Sequence, residues 1–459
     1  MKQIDFEEGK ITENILRASI PMLVAEIFSL LYNIVDRIYI ARIPGIGTTA
    51  LGAVGLCFPI IVIITAFSNL FGGGGAPLFS IARGRGEKKE ASFIMNTSFF
   101  MISVCAVILM AIGFLFARPV LLLFGASQNA LRYAHPYILI YLVGTLPSML
   151  VTGMNPFINA QGYSTTGMIS IVIGAVFNIF LDPLFIFGFK MEIEGAAIAT
   201  ILSQMFAAAF VLHFLYQKAE YKIHFLKKNE IKKCGENARN IVSLGSAGFI
   251  MQFTNSLVTI CCNNVLSLTG GDLYISVMTI LTSIRQMVET PIHAITEGSS
   301  PVISYNYGAG KPEQVKKAGM AMMGLAFLYT VIIWGIILFF PHSLIRIFSS
   351  DQTIYKDAVP AMKLYFSAFI FMLLQYVGQT MFKSLNKKKH AIFFSLLRKV
   401  IIVVPLTYLL PSVFHMGTNG VFLAEPVSNV VGGSICFIVM LLTVLPELNN
   451  MKKDKAACK

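Results

Sequence analysis

The stretch GGAPLFSIARGRG at residues 74–86 returns 224 residues later as GSSPVISYNYGAG at residues 298–310. Gly74, Pro77, Ser80, Gly84 and Gly86 fall on Gly298, Pro301, Ser304, Gly308 and Gly310. These residue types shape backbone and permit close approach, so their coincidence marks an internal repeat rather than shared composition. The register holds outward from there. Pro136 and Tyr141 fall on Pro360 and Tyr365 at the same offset. Phe157 falls on Phe382, and EGAAIATILSQ (194–204) on NGVFLAEPVSN (419–429), at 225. Asn14 and Ile15 fall on Asn240 and Ile241 at 226. Small changes in loop length account for the drift.

The repeated unit is built for lipid. Hydrophobic residues make up 56% of the 459, charged residues only 13%, and the mean hydropathy is +0.71. A soluble domain of that composition would aggregate. A helix needs about 20 apolar residues to cross a hydrocarbon core of about 30 Å. Apolar runs near 15–40, 51–79, 91–117, 133–154, 164–189 and 193–216 give six spans, and runs near 240–268, 274–299, 317–341, 357–384, 391–414 and 418–445 give six more. The alternating strands of about ten residues that mark a membrane barrel are missing. The expected fold is therefore all-α and integral to the membrane, with twelve transmembrane helices in two pseudo-symmetric six-helix bundles. Residues 1–216 form the first, 217–239 a basic cytoplasmic linker, and 240–459 the second with a short basic tail.

The net charge of +13 does not point to nucleic acid, because the bases fall in alternate connections. They are Arg83, Arg85, Lys88 and Lys89, the run from Lys218 to Arg239, Lys311, Lys316 and Lys317, Lys383 with Lys387 to Lys389, and the tail from Lys452. By the positive-inside rule these connections and both termini face the cytoplasm of a multi-pass protein of the cell membrane. The N-terminus has no short apolar core with a cleavage site, so the first run is expected to stay in the protein. Five of the seven Cys (Cys57, Cys105, Cys261, Cys262 and Cys436) lie in apolar runs without metal-ligand spacing, so no disulfide or Cys/His metal framework is expected.

An even number of spans per copy inserts both copies in the same sense, which is a transporter arrangement with the substrate path between two bundles. Ionisable residues inside spans locate the chemistry, since each costs about 2.5–3.5 kcal/mol on insertion scales. In the first span Glu26, Ser29, Asn33 and Asp36 share a stripe of roughly 80° at helical spacing. In the fifth, VFNIFLDPLFIFG (176–188) sets Asn178 and Asp182 four apart on one face, and Pro183 leaves the Ile179 carbonyl unpaired. Thr200, Ser203 and Gln204 share a face of the sixth. If these spans meet, Asp36, Asn178, Asp182 and Thr200 form an oxygen-rich pocket for a proton or a hard monovalent cation such as Na⁺. Two carboxylates in a low-dielectric pocket cannot both stay ionised cheaply and should titrate as a unit. Filling the pocket removes negative charge that would otherwise hold an organic cation, and that competition is antiport. The glycine run Gly72 to Gly75 lacks a following GK[ST], so it reads as a place of close helix contact, not a phosphate loop.

At LYNIVDRIYIARIPGIGTTALGAVGLCFPI (31–60), GGGAPLFSIARGRG (73–86), NIFLDPLFIFG (178–188), EGSSPVISYNYGAGKP (297–312) and NGVFLAEPVSN (419–429) the sequence resembles the multidrug and toxic compound extrusion (MATE) family, closest to its MepA-like branch. The resemblance covers nearly the whole chain. It implies a V-shaped pair of six-helix bundles that exports lipophilic, cationic drugs in exchange for H⁺ or Na⁺, without a cofactor. The family's coupling residues fall on Asp36, Asn178 and Asp182, with Thr200 matching a hydroxyl of the sixth span.

The seventh span, FIMQFTNSLVTICCNN (249–264), departs from the family pattern: Gln252 and Cys262 stand where the repeat places Glu26 and Asp36. In the second half, Glu289 is the expected holder of a substrate cation, and Arg398 with Glu425 is expected to form a structural ion pair. Glu26, Asn33, Tyr141, Met154 and Met287 are the expected substrate lining, in a monomer surrounded by lipid. A lipid or lipid-linked saccharide flippase is the alternative transporter, favoured by a basic rather than an acidic cavity. An enzyme would need a His, Cys or Ser constellation in the bilayer, whereas His135, His342 and His415 lie near span ends.

Overall fold

With no water in the bilayer core, backbone N–H and C=O groups must be satisfied within each crossing segment, and an apolar chain does this by forming helices. The computed structural model describes residues 3–7, 9–124, 126–231, 234–348 and 352–457, and every regular element among them is helical. The first half contains α1 (Ile11–Ala41), α2 (Gly47–Gly84), α3 (Lys88–Leu123), α4 (Gln128–Val143), α5 (Thr145–Ala160), α6 (Ser164–Pro183), α7 (Glu192–His213) and the short α8 (Lys228–Ile231). The second contains α9 (Cys234–Thr269), α10 (Gly271–Gly308), α11 (Pro312–Phe339), α12 (Pro341–Phe348), α13 (Gln352–Tyr365), α14 (Phe369–Ser384), α15 (Lys388–Leu396), α16 (Val404–Ser412), α17 (Gly417–Ser428) and α18 (Ser434–Ala457).

Among the described residues nine helical stretches are long and apolar enough to cross a membrane, and two bent pairs add two spans. The bends are 56° between α4 and α5, beside Gly144, and 48° between α13 and α14. The twelfth expected span is α10, 38 residues long, whose Arg285, Glu289 and Glu297 make it less apolar. Four helices widen into π turns: Leu184–Gly188 after α6, Phe214–Lys218 after α7, Leu397–Val403 between α15 and α16, and Asn429–Gly433 between α17 and α18.

The chain divides into two compact units, residues 1–5 with 20–245 and residues 6–19 with 246–459. The division is not at the expected linker. Each unit takes in the opening of the first helix of the other repeat, and glycines explain why. In the first unit a Cβ on Gly74 would meet the Ile241 carbonyl and the backbone of Gly245, and one on Gly245 would meet the Leu70 carbonyl. In the second a Cβ on Gly298 would meet Ser19. Gly298 is the repeat mate of Gly74 and Ser19 that of Gly245, so one backbone contact is made twice. Two further glycines of the 72–75 run behave alike, Gly72 packing on Gly153 and Gly75 on Ser98 and Phe157, while a Cβ on Gly73 would meet nothing within 4 Å.

The segment expected as a polar linker is docked onto the first unit over residues 219–226. Ala219, Tyr221 and Ile223 are buried while Glu220, Lys222 and His224 are exposed, the alternation of an extended chain lying on a surface, which ends at exposed Phe225 and buried Leu226. The Tyr221 N–H donates to Gln161 Oε1 at 2.9 Å, the His224 N–H to Asn96 Oδ1 at 2.8 Å, and Arg83 pairs with Glu220 at 3.3 Å. AEYKIH (219–224) carries that period in plain view beneath its charges.

Gly245→Val forces a side chain into the Leu70 backbone and should cost about 1–3 kcal/mol, the usual penalty of overpacking. Gly248→Val, on the same helix with nothing within 4 Å of its Cβ, is the control. Thermal unfolding of both variants in detergent should show the lower midpoint for the first alone.

Candidate functional site

Asn178 and Asp182 stand one turn apart on α6, and the Asn178 amide links them to α7. Its Nδ2 donates to Asp182 Oδ1 at 3.1 Å and to Thr200 Oγ1 at 3.4 Å. The Thr200 hydroxyl spends its own proton on the Ala196 carbonyl at 3.0 Å, so its oxygen is left as an acceptor. From α1, Asp36 comes within side-chain hydrogen-bonding reach of Asp182. Asp182 is fully buried and Asn178 is 2% exposed. The four residues expected to meet do meet.

The polarity of what remains is one-sided. Asp36 Oδ1, Asn178 Oδ1 and Asp182 Oδ2 are buried with no hydrogen-bond partner. A buried acceptor left unpaired costs about 1–3 kcal/mol, more if charged. Three together, with the Thr200 oxygen beside them, make a set of hard oxygen donors that a proton or a small monovalent cation satisfies. Arg37 lies over the Phe58 ring at 5.6 Å. Among the described residues no group of three or more His, Cys, Asp or Glu is placed to hold a metal; the set here combines two carboxylates with an amide and a hydroxyl.

Two tyrosines of α4 flank the acids. Tyr137, buried and stacked on Tyr141 at 6.3 Å, is within electrostatic reach of both Asp36 and Asp182. Tyr141 hydrogen-bonds Ser148 and lies near Tyr32 and Asp36. The sequence singled out Tyr141; Tyr137, four residues earlier on the same face, is the addition. The other lining residues separate. Glu26 is half-buried. Asn33 is exposed and donates to its own helix at the Ser29 carbonyl, 2.6 Å away. Met287 is 57% exposed on α10. Met154 is fully buried within the first unit, so it packs the bundle and lines no open path.

In the second unit the repeat mates of the acids are neutral. Asp36 corresponds to Cys262 and Asp182 to Thr407, and Cys262 Sγ lies 3.9 Å from Thr407 Oγ1. The contact survives without its charge. Thr200 corresponds to Glu425. The expected pair of Arg398 with Glu425 is present at 3.6 Å, and the same carboxylate is joined by Lys399 at 2.8 Å and by Arg285, closer still. Arg398 Nη1 also donates to Asn429 Oδ1 at 2.7 Å. Glu289, expected to hold a substrate cation, is engaged by Arg285, and its second oxygen accepts from the Tyr376 hydroxyl at 3.4 Å. Lys399 was missed because consecutive residues of a regular helix diverge by about 100°; the π turn Leu397–Val403 winds less per residue and buries both bases.

The profile of the MatE family matches residues 21–184 and 248–409, which is most of the chain. The chain belongs to the MatE family. It is 24% identical over 452 residues to the multidrug export protein MepA of Staphylococcus haemolyticus, covering 98% of this chain and 97% of that one. It is 23% identical over 441 residues to an FAD transporter of Shewanella oneidensis, covering 92% and 93%. Among solved structures, an outward-facing MATE multidrug-resistance transporter superposes with a TM-score of 0.89 at 21% identity, covering 99% of each chain. A Pyrococcus furiosus transporter of the MOP superfamily, described as having a binding pocket of reversed polarity, superposes with a TM-score of 0.90 at 21% identity, covering 98% and 99%. The MatE fold is thus shared across nearly the full length.

Glu425 neutralises bases that are otherwise buried together. Glu425→Gln should destabilise this MatE protein by about 3–5 kcal/mol, as when one partner of a buried pair is removed. The double variant Glu425→Gln with Lys399→Met should regain part of that loss in the same unfolding assay.

Proposed function

We propose that this protein is an antiporter of the cell membrane that exports lipophilic, mostly cationic organic compounds in exchange for H⁺ or Na⁺, and that Asp36, Asn178, Asp182 and Thr200 form the coupling site. One observation carries the reading: three buried oxygens from α1 and α6 converge without partners, an arrangement whose cost an incoming cation removes. The names of the MepA relatives, multidrug export proteins, support the substrate class, and the bases in alternate connections support cytoplasmic termini.

The cycle follows from charge. With the site empty, the carboxylates present negative charge in a medium that screens it poorly, and an organic cation is attracted to their neighbourhood. Tyr137 and Tyr141 add aromatic faces that favour a cation. When H⁺ or Na⁺ enters, the charge is cancelled, the organic cation loses its electrostatic hold and is released. Coupling requires that the two occupants favour different arrangements of the bundle, since a ligand shifts an equilibrium only by its differential affinity. Pro183 and the π turn that follows it, directly beside Asp182, are where α6 yields most readily, because the regular hydrogen-bond ladder is already interrupted there.

Proteoliposomes holding the purified protein should move ethidium when a proton gradient or a sodium gradient is imposed alone. Asp36→Asn and Asp182→Asn should slow that movement about 10- to 100-fold, the equivalent of one charged hydrogen bond of about 1.5–3 kcal/mol. Thr200→Ala, which removes a neutral oxygen, should cost less. Absence of dye movement on both gradients rejects antiport, and full activity in Asp182→Asn rejects the coupling assignment alone.

A further inference from the structure

We propose that His293 is a proton-binding site of the second unit, flanked by two glutamates, and that its charge opposes the binding of an organic cation. Glu289, His293 and Glu297 follow one another at four-residue spacing on α10, so each carboxylate stands about one turn from the imidazole on the same stripe of the helix. Tyr376 and Lys383 face that stripe from α14. The Tyr376 hydroxyl donates to Glu289 Oε2 at 3.4 Å, its ring meets the His293 ring edge-on at 6.3 Å, and Lys383 pairs with Glu297 at 2.7 Å. One turn before Glu289, Arg285 engages that carboxylate. Arg398, from the π turn Leu397–Val403, borders the same small cleft as His293, Glu297, Tyr376 and Lys383.

Within this set the imidazole is the group suited to change charge. Arg285 and Arg398 keep their protons at any working pH, and Glu289, Glu297 and Lys383 are held in ion pairs. A histidine side chain exchanges its proton between about pH 5 and 8. With His293 neutral, Glu297 answers to Lys383 alone. With His293 protonated, a cation stands one turn from both carboxylates, and opposite charge at that range favours the bound proton. The repeat separates this stripe from the scaffold. At the offset of 224, Glu289, His293 and Glu297 fall on Thr65, Asn69 and Gly73, and a Cβ on Gly73 would meet nothing within 4 Å. The second copy therefore carries three ionisable groups where the first has none, and ionisable residues inside spans are kept for function. The cleft has room for little more than a water, which is enough for a proton to come and go. A proton bound there adds positive charge where screening is poor, so an organic cation binds less well. That effect has the same sense as filling the Asp36–Asp182 site; it rests on the transport reading above, whereas the site itself does not.

The test is an NMR titration of the full-length, histidine-labelled protein in detergent. His293→Gln identifies the resonance by its loss; where that variant fails to fold, Glu297→Gln identifies it by displacement. The His293 signal should titrate between about pH 5 and 8, and in Glu297→Gln the transition should move to more acidic pH, because a carboxylate beside the imidazolium is gone. A His293 signal that keeps one protonation state across that range overturns the site. Ethidium binding, read by fluorescence, is the second measurement. At about pH 8 the parent and His293→Gln should agree within about 2-fold, and at about pH 5.5 the parent should bind about 5-fold more weakly than the variant. Equal pH profiles overturn the role assigned to its charge. A titrating His293 with the expected profile, in a protein that moves no dye on either gradient, leaves this site standing and sinks antiport. Dye movement with a His293 that does not titrate does the reverse.

Discussion

Charge in a hydrocarbon solvent is the constraint to which the rest of this protein answers. An ion taken from water loses several kcal/mol even after relaxation, against about 1 kcal/mol for a typical hydrogen bond, so the placement of a few carboxylates and bases outweighs most packing contacts. The two units answer it differently. In the first, Asp36 and Asp182 keep oxygens vacant beside Asn178 and Thr200, and the deficit is left for a mobile cation. In the second, Glu289, Glu297 and Glu425 are each matched to a base built into the chain. One unit stores an open charge requirement; the other fills its own.

That contrast is imposed on a common frame. The repeat preserves Gly74 and Gly298 at the same backbone contact, and it preserves the meeting of the first and fifth spans, as acids in one copy and as Cys262 with Thr407 in the other. Scaffold positions answer to the space between backbones, which is identical in both copies. Chemical positions answer to what is bound there, which is not. The exchange of Thr200 for Glu425 follows the same logic, since an acid at that place has Lys399 and Arg285 to meet it.

Most of the frame was legible in the sequence because hydrophobic length and glycine identity are local signals. Twelve spans, the repeat and the close approach at Gly72, Gly74 and Gly75 follow from them directly. Asn178 and Asp182 were legible as a pair because helical periodicity puts them on one face; their meeting with Asp36 depended on the family resemblance, since periodicity says nothing about which helices touch. Three features escaped. Lys399 lies in a π turn, where a period of 3.6 fails. Residues 219–226 hide an extended pattern under a basic composition. Glu289 looked available because its partner, Arg285, is one turn earlier on the same helix, and the rotamers that join them are not written in the sequence.

The exchange of helix openings has a consequence for how the chain is made. The groove at Gly74 is closed by residues 234–245, so the first unit is incomplete when its own spans have left the ribosome and must wait for the start of the next repeat. Residues 6–19, synthesised first, wait longer still, until α10 brings Gly298 to Ser19. Neither repeat can therefore mature as a separate half. The order of synthesis and the order of completion are interleaved, and a chain halted after α7 would present an open glycine seam to the membrane and to whatever surveys it.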